Sequence, residues 1–133
     1  MKGADMEKYI DLGETRVKMA CNALLPRLYR YHFGKDLLIG MRKLAKAYKK
    51  TGEDENGKPI YDIDDSADFE IAEQIAWLML KQGGEDVGDT IEEWLAGVDI
   101  TDLYTLEAEA FELWRASERQ TSNAKKKGVK RQG

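Results

Sequence analysis

The side chains that could carry chemistry in this 133-residue chain are one histidine, one cysteine and 25 carboxylates. Because His32 and Cys21 each stand alone, they can form neither a histidine-rich metal site nor an internal disulfide, and both are predicted to be structural. Glu92 and Glu112 could act as an acid–base pair, but carboxylate pairs arise by chance in a chain so rich in acids. The chain has no nucleophile elbow, phosphate loop, HExxH motif or dinucleotide fingerprint. The sequence therefore predicts no enzyme, no cofactor and no metal site.

The densest group of acids, Asp62, Asp64 and Asp65, lies in the polar stretch Thr51–Ala67. A calcium loop would need alternating acids followed by a glycine and by a glutamate at the twelfth position, and that spacing is absent. Glycine, asparagine and proline are concentrated in the same stretch, as in loops. We therefore interpret it as a loop whose acids are solvated.

The charge of the chain is unevenly distributed. The net charge is -4, but residues 119–133 hold six lysines and arginines and no acid, so residues 1–118 carry a net charge of -10. An acidic body repels nucleic acid, and only the basic C-terminal segment could contact phosphate. The chain also lacks an apolar run of the roughly 18–20 residues that a membrane span needs, and it lacks the apolar segment of a signal peptide. We expect a cytoplasmic protein that does not contact a membrane.

The elements that must position any binding site centre on residues 22–50, which are predicted to form two helices joined by a tight corner. Five residues of the first helix recur at helical spacing and are predicted to face inward: Leu24, Leu25, Leu28, Tyr31 and His32. The second helix is predicted to turn inward Leu37, Leu38, Met41, Leu44, Ala45 and Tyr48. A glycine that can take the left-handed conformation and an aspartate that can cap a helix lie between them. The residues predicted to specify this corner are Tyr29, Arg30, Phe33, Gly34, Lys35 and Asp36.

One further element is predicted before the two-helix segment in the chain, and another after it. Two short extended runs between Tyr9 and Ala20, separated by Gly13, indicate an N-terminal β-hairpin. The segment Phe69–Gln82 is the most apolar helix of the chain, with Asp68 in position to cap it, and it is predicted to be the central helix.

The C-terminal part of the chain predicts two more helices and a tail. Thr90 opens a capping box and a short helix that Gly97 closes. Asp99 is predicted to cap a last helix from Ile100 to about Gln120, which presents Leu103, Leu106, Ala110, Leu113 and Trp114 inward. The predicted fold is therefore mainly α: a single small domain, residues 1–120, of about five helices with an N-terminal β-hairpin. Residues 121–133 have too little apolar content to fold alone and are predicted to be a disordered basic tail.

The three tryptophans, Trp77, Trp94 and Trp114, are the residues whose type best suits an anchor for a protein partner. The alternative is that all three belong to the core, where tryptophan is commonly found. The sequence leaves both interpretations open.

The segment Leu25–Arg30, followed by Phe33–Asp36 and a leucine-rich helix, resembles the entry motif of tail assembly chaperones of siphophages and related prophages of Gram-positive bacteria. The order of later features is similar too: an apolar helix with Trp77, then Ile91–Leu95, then a helix ending near Trp114 and a lysine-rich C-terminus. The resemblance spans roughly residues 9–127. Lys35 stands where the family commonly has arginine, which keeps the charge but loses a bidentate donor.

The resemblance implies a chaperone that binds the tape measure protein in the host cytoplasm and is absent from the mature virion. Further partners that it implies are the tail tube protein and a second copy of the chain. Nucleic acid is not expected as a partner of this class. The alternative interpretation is a small adaptor or regulatory protein that uses the basic tail to contact nucleic acid.

Overall fold

The computed structural model describes residues 6–64 and 68–132. Within them, five helices and two antiparallel β-hairpins follow one another in this order: β1 (Met6–Leu12), β2 (Thr15–Cys21), α1 (Leu25–Phe33), α2 (Leu37–Ala47), β3 (Tyr48–Glu53), β4 (Pro59–Ile63), α3 (Phe69–Gln82), α4 (Ile91–Gly97) and α5 (Ile100–Gln132). The prediction of a mainly helical fold with about five helices and an N-terminal hairpin is confirmed in these coarse terms. The second hairpin is additional strand structure.

The first hairpin closes through a two-residue turn. Leu12 pairs with Thr15, and Gly13 alone in the turn has a positive φ, 81°, as a type II′ turn requires of its first central residue. The C-terminal half of β2 is buried against α3. The approach is close, because a Cβ added to Gly83 would lie 2.0 Å from the carbonyl oxygen of Lys18.

The corner between α1 and α2 has the predicted chemistry. Gly34 has a φ of 70°, and its amide donates to the carbonyl of Arg30 at 2.8 Å. Asp36 caps α2 by accepting from the amide of Ile39 at 3.1 Å. Both the left-handed glycine and the aspartate cap are confirmed.

The inward faces of α1 and α2 differ in part from the predicted ones. Leu25 and Tyr29 are buried in α1, whereas the side chain of Tyr31 is 82% exposed and His32 and Leu24 are exposed as well. Leu25 faces the core, and Tyr29, four positions further along the helix, lies on the same face. Tyr31 is six positions from Leu25 and therefore lies on the opposite face. In α2 the buried set is Leu37, Met41, Leu44 and Ala47, so the predictions for Leu38 and Ala45 are wrong.

The most apolar helix, α3, lies at the centre of the fold. Nine of its residues are buried, and α1, α2, α4, α5 and β2 pack around it. Asp68 caps it by accepting from the amide of Glu70 at 3.0 Å. The predicted central helix is therefore confirmed. From α5, the predicted core residues Leu106, Ala110, Leu113 and Trp114 are buried, and Leu103 is half-buried.

The stretch predicted as a loop contains the second hairpin, and Tyr48 begins its first strand instead of ending α2. The turn is specified by Asp54, whose side chain accepts from the amides of Asn56 and Lys58 at 2.9 Å, and by Gly57 with a φ of 81°. Flanking this turn are aromatic and β-branched residues, which favour strands. The loop interpretation therefore holds for the turn alone. Asp62 and Asp64 are exposed, as expected for solvated acids, and Asp65 lies outside the described residues.

The last helix, α5, begins where it is predicted to begin but ends later. Its start is confirmed, since Asp99 accepts from the amide of Thr101 at 2.9 Å. Its backbone continues as helix to Gln132, past the predicted end near Gln120 and through residues predicted to be disordered. Low apolar content does not end a helix; alanine and lysine favour helical backbone, and residues 121–127 include neither glycine nor proline. The predicted boundary at residue 120 does not coincide with a helix end.

Candidate partner-binding groove

The residues predicted to specify the corner serve the fold. Tyr29 is 1% exposed, and its ring lies 5.2 Å from that of Phe33, which in turn lies 6.0 Å from Trp77 of α3. At the surface, Arg30 pairs with Asp36 at 3.3 Å and Lys35 with Glu70 at 3.4 Å. The ring contacts and the Lys35–Glu70 pair bind the corner to the central helix. A cavity of about 310 Å³ beside the corner has a largely polar and aliphatic lining: Pro26, Arg27, Arg30, Asp36, Leu37 and Leu38.

The three tryptophans have different environments. Trp77 is 1% exposed and its indole N–H donates to the carbonyl of Val87 at 3.1 Å, and Trp114 is also buried. Their burial makes both of them packing residues, out of reach of a partner in this conformation. Trp94 is half-buried beside an open depression that Leu12 and Val17 also line, so of the three it alone remains a candidate contact.

The single histidine and the single cysteine have structural surroundings. His32 lies edge-on to Trp77 with 5.1 Å between ring centroids, and partial burial and then Lys81 lower the pKa of its imidazole. Cys21 is a free, buried thiol whose pKa is raised by burial.

The two glutamates considered as an acid–base pair have different surroundings. Glu92 is exposed on α4, while Glu112 accepts from the hydroxyl of Tyr61 at 3.5 Å. Among residues 6–64 and 68–132, no three acids, histidines or cysteines are placed to hold a metal ion.

The best candidate site is a groove between the second hairpin, the start of α3 and the first turns of α5. Its volume is about 590 Å³. Four aromatic and two acidic side chains line it, and we refer to it as the aromatic groove: Tyr48, Tyr61, Phe69, Tyr104, Glu73 and Glu107. Phe69 is 44% exposed and Tyr104 is 63% exposed. The groove therefore presents two exposed aromatic side chains to solvent.

The sequence places these side chains through helical and strand periodicity. Phe69 and Glu73 are four residues apart on α3, and Tyr104 and Glu107 are three apart on α5, so each pair shares a face. The hairpin supplies the other wall: the ring of Tyr48 stacks on Phe111 of α5 with 4.9 Å between centroids. This stacking fixes the hairpin against α5 and leaves the groove open beside it.

The floor of the aromatic groove carries an unusual carboxyl group. Glu107 is 8% exposed, and among the residues that the structure describes it forms no hydrogen bond or ion pair. Burial, and secondly the charge of Glu73, raise its pKa to about 7. The pKa of Glu73 is raised as well, by burial first and then by the acids at the start of α3. The carboxyl oxygens of Glu107 are not among the fully buried, partnerless polar atoms of the described residues, so water from the groove still reaches them. A ligand that covers the groove removes this water, and it then favours either a proton on Glu107 or a cation beside it.

Sequence reasoning missed this groove. Two of its aromatic residues belong to the hairpin that was predicted as helix and loop, and Tyr104 and Glu107 lie beside the inward stripe of α5. One available signal was the spacing of Tyr104, Glu107 and Ala108, which forms a second face on that helix. Its functional meaning depends on contacts with residues more than 30 positions away in the chain.

The chain matches no protein-family model, no curated protein and no solved structure. No helix within the described residues combines the length and apolar character needed to cross a bilayer.

Proposed function

We propose that the protein is a phage tail assembly chaperone that binds the tape measure protein and keeps it soluble until the tail tube assembles, without entering the mature virion. The observation that carries this proposal is the aromatic groove. Two exposed aromatic rings, Phe69 and Tyr104, line one concave surface, and aromatic residues of this kind are enriched where a protein partner binds.

The chemistry of such a client fits the groove. A long helical protein with exposed apolar faces aggregates unless another molecule covers those faces. A groove between two helices and a hairpin suits an amphipathic helix, whose apolar residues recur on one face at each turn. Many copies with modest affinity each would suffice along a long client.

The corner supports the proposal through the sequence resemblance, which centres on residues 25–36. In the fold these residues pack on α3, whose first turn supplies Phe69 and Glu73 to the aromatic groove. The part of the chain that carries the resemblance therefore has a scaffolding role, and the groove is where we place client binding.

Co-expression with the tape measure protein tests the proposal. We expect the client to be the product of a very long, coiled-coil-like gene just downstream, and absence of such a gene would count heavily against the proposal. We expect the soluble yield of this client to rise with the wild-type protein and to fall back with the Phe69→Ser, Tyr104→Ser double variant. A matched control, Tyr31→Ser with Leu38→Ser, removes comparably exposed apolar groups from outside the groove. A soluble yield that stays unchanged on co-expression would refute the proposal.

The nucleic-acid alternative is separated by an electrophoretic mobility shift with duplex DNA. Contacts from a basic segment alone would weaken steeply with salt. A shift that persists at physiological salt would favour the alternative over the chaperone.

A further inference from the structure

We propose that the aromatic groove recognises a helical segment whose apolar face carries one lysine or arginine, and that this cation pairs with Glu107. This inference deepens the proposed function, on which it rests, by naming the chemical feature of the client that the groove selects.

The walls and the floor of the aromatic groove differ in chemistry. The walls are aromatic rings, which favour apolar contacts, whereas the floor holds Glu107 and, beside it, Glu73. An ionised carboxylate inside an apolar site is unfavourable unless a cation or hydrogen-bond donors compensate it. A purely apolar ligand would bury Glu107 further and leave it without a donor.

Among the described residues, no cation of this chain pairs with Glu107. Arg115, which also lies on α5, donates to the hydroxyl of Tyr61 at 3.3 Å and lies over the ring of Phe111 at 5.8 Å. Lys50, on the strand next to Tyr61, pairs with Glu53 at 3.3 Å. The compensating charge is therefore free to come from a partner.

The side chains of lysine and arginine suit both the walls and the floor of the groove. Lysine and arginine bring a long apolar stem before the charged group, so the stem can lie along the rings while the charge reaches the floor. The faces of tyrosine and phenylalanine attract such cations as well. A basic side chain flanked by apolar residues one helical turn away thus matches walls and floor together.

Pairing between Glu107 and a client cation makes binding depend on pH. The carboxyl of Glu107, with a pKa of about 7, is ionised increasingly as pH rises, so a client cation should bind more tightly at about pH 8 than at about pH 6. A purely apolar client should show the opposite trend, because it favours the protonated carboxyl. The other titratable groups facing Glu107 are Glu73 from α3, Tyr48 and Tyr61 from the hairpin and Tyr104 from α5. The pKa of Glu73 is raised too, and its ionised form would attract a client cation in the same way as that of Glu107. Burial raises the pKa of Tyr48 above its ordinary value of 10.

The test begins with a displayed random library of helical peptides, from which binders to the full chain are selected. The peptides are about 15 residues long so that several helical turns form. Enriched peptides are then measured by fluorescence anisotropy against wild-type protein and Glu107→Gln, each with the basic residue present or replaced by norleucine. We expect enrichment of one lysine or arginine within an apolar face. Loss of the cation should weaken binding to wild type about tenfold and hardly affect binding to Glu107→Gln.

Controls locate the effect. Glu118→Gln changes an exposed acid on the same helix outside the aromatic groove and should leave the cation preference intact. Tyr104→Ser should weaken every enriched peptide. Enriched peptides without a basic residue, an additive double-mutant cycle, affinity that falls with rising pH, or no enrichment would each overturn the inference. If co-expression fails while the cycle shows coupling, only the chaperone role is wrong; if co-expression succeeds while the cycle is additive, only this inference is wrong.

Discussion

The hydroxyl of Tyr29 in α1 donates to the side-chain oxygen of Gln74 in α3 at 2.6 Å, and both residues are buried. This bond is the polar contact that joins the corner to the central helix inside an otherwise apolar interface. It has a structural consequence, because removal of the hydroxyl leaves the Gln74 carbonyl without its donor in a place that water does not reach.

Tyr29→Phe is therefore expected to lower the free energy of unfolding by about 1–3 kcal/mol, the usual cost of an unsatisfied buried polar group. Urea denaturation measures the change. Tyr31→Phe is a matched control on the same helix, since Tyr31 is 82% exposed, and it should be neutral. Equal effects of the two substitutions would contradict the importance of the Gln74 contact.

Gly34 and Gly83 are predicted to resist substitution for different reasons. Gly34 has a φ of 70° and open space around it, so Gly34→Val should cost more than about 1 kcal/mol from backbone strain alone. Gly34→Asn should cost less, because asparagine tolerates the left-handed region better. Thermal melts of both variants measure the difference. A valine variant as stable as wild type would contradict the prediction of backbone strain at Gly34.

At Gly83 the obstacle is space. An alanine Cβ would lie 2.0 Å from the backbone carbonyl oxygen of Lys18, so β2 and α3 would have to separate. We expect Gly83→Ala to destabilise the fold by roughly 2 kcal/mol or more, in the range of overpacked sites. Gly97→Ala, with nothing within 4 Å of the added atom, is the control and should be well tolerated in a melt. A similar melting temperature for both variants would mean that β2 can shift at little cost.

Features that depend on neighbouring residues could be predicted from the sequence, whereas features that depend on contacts between distant residues could not. The caps at Asp36, Asp68 and Asp99 and the left-handed Gly34 depend on neighbours within one turn, and they were predicted correctly. The second hairpin was missed although the Asp54 turn is local, because the polar composition around it outweighed two short strands. Its stability draws on the stacking of Tyr48 on Phe111, a contact between residues far apart in sequence.

The aromatic groove was unpredictable for the same reason. Tyr61, Phe69 and Tyr104 look like ordinary surface or core residues in their own segments, and they form a site only because the hairpin and two helices meet. The raised pKa of Glu107 is still less visible, since it depends on burial and on the charge of Glu73 from another helix. For the tryptophans the sequence leaves a partner surface and the core open as alternatives, and Trp77 and Trp114 lie in the core.

Trp94 should differ from the other two tryptophans in solution. Since it is half-buried while Trp77 and Trp114 are buried, acrylamide should quench its fluorescence more readily. Phenylalanine replacements that leave one tryptophan at a time allow the comparison, with Trp94→Phe as the variant expected to lose the quenchable component. Equal quenching of the three emitters would contradict these burial differences.

The last prediction concerns pH and stability. The pKa of Glu107 is about 7 in the fold, above its ordinary value of 4.5. Its ionised form is thus disfavoured by folding. The stabilising effect of the protonated group is fully present below about pH 4.5 and is lost as pH rises through about 7. Glu107→Gln removes this loss, so the variant should be more stable than wild type at about pH 8, by roughly 1–3 kcal/mol, and nearly equal to it at about pH 5.

Chemical denaturation of wild type, Glu107→Gln and Glu118→Gln at both pH values measures the effect. Glu118→Gln, an exposed acid on the same helix, should leave the pH dependence of wild type unchanged. Part of any remaining slope in Glu107→Gln would come from Glu73, whose pKa is also raised. If Glu107→Gln is instead less stable than wild type at about pH 8, the carboxylate must already have a compensating donor in the free protein, and the aromatic groove would have no need of a client's cation.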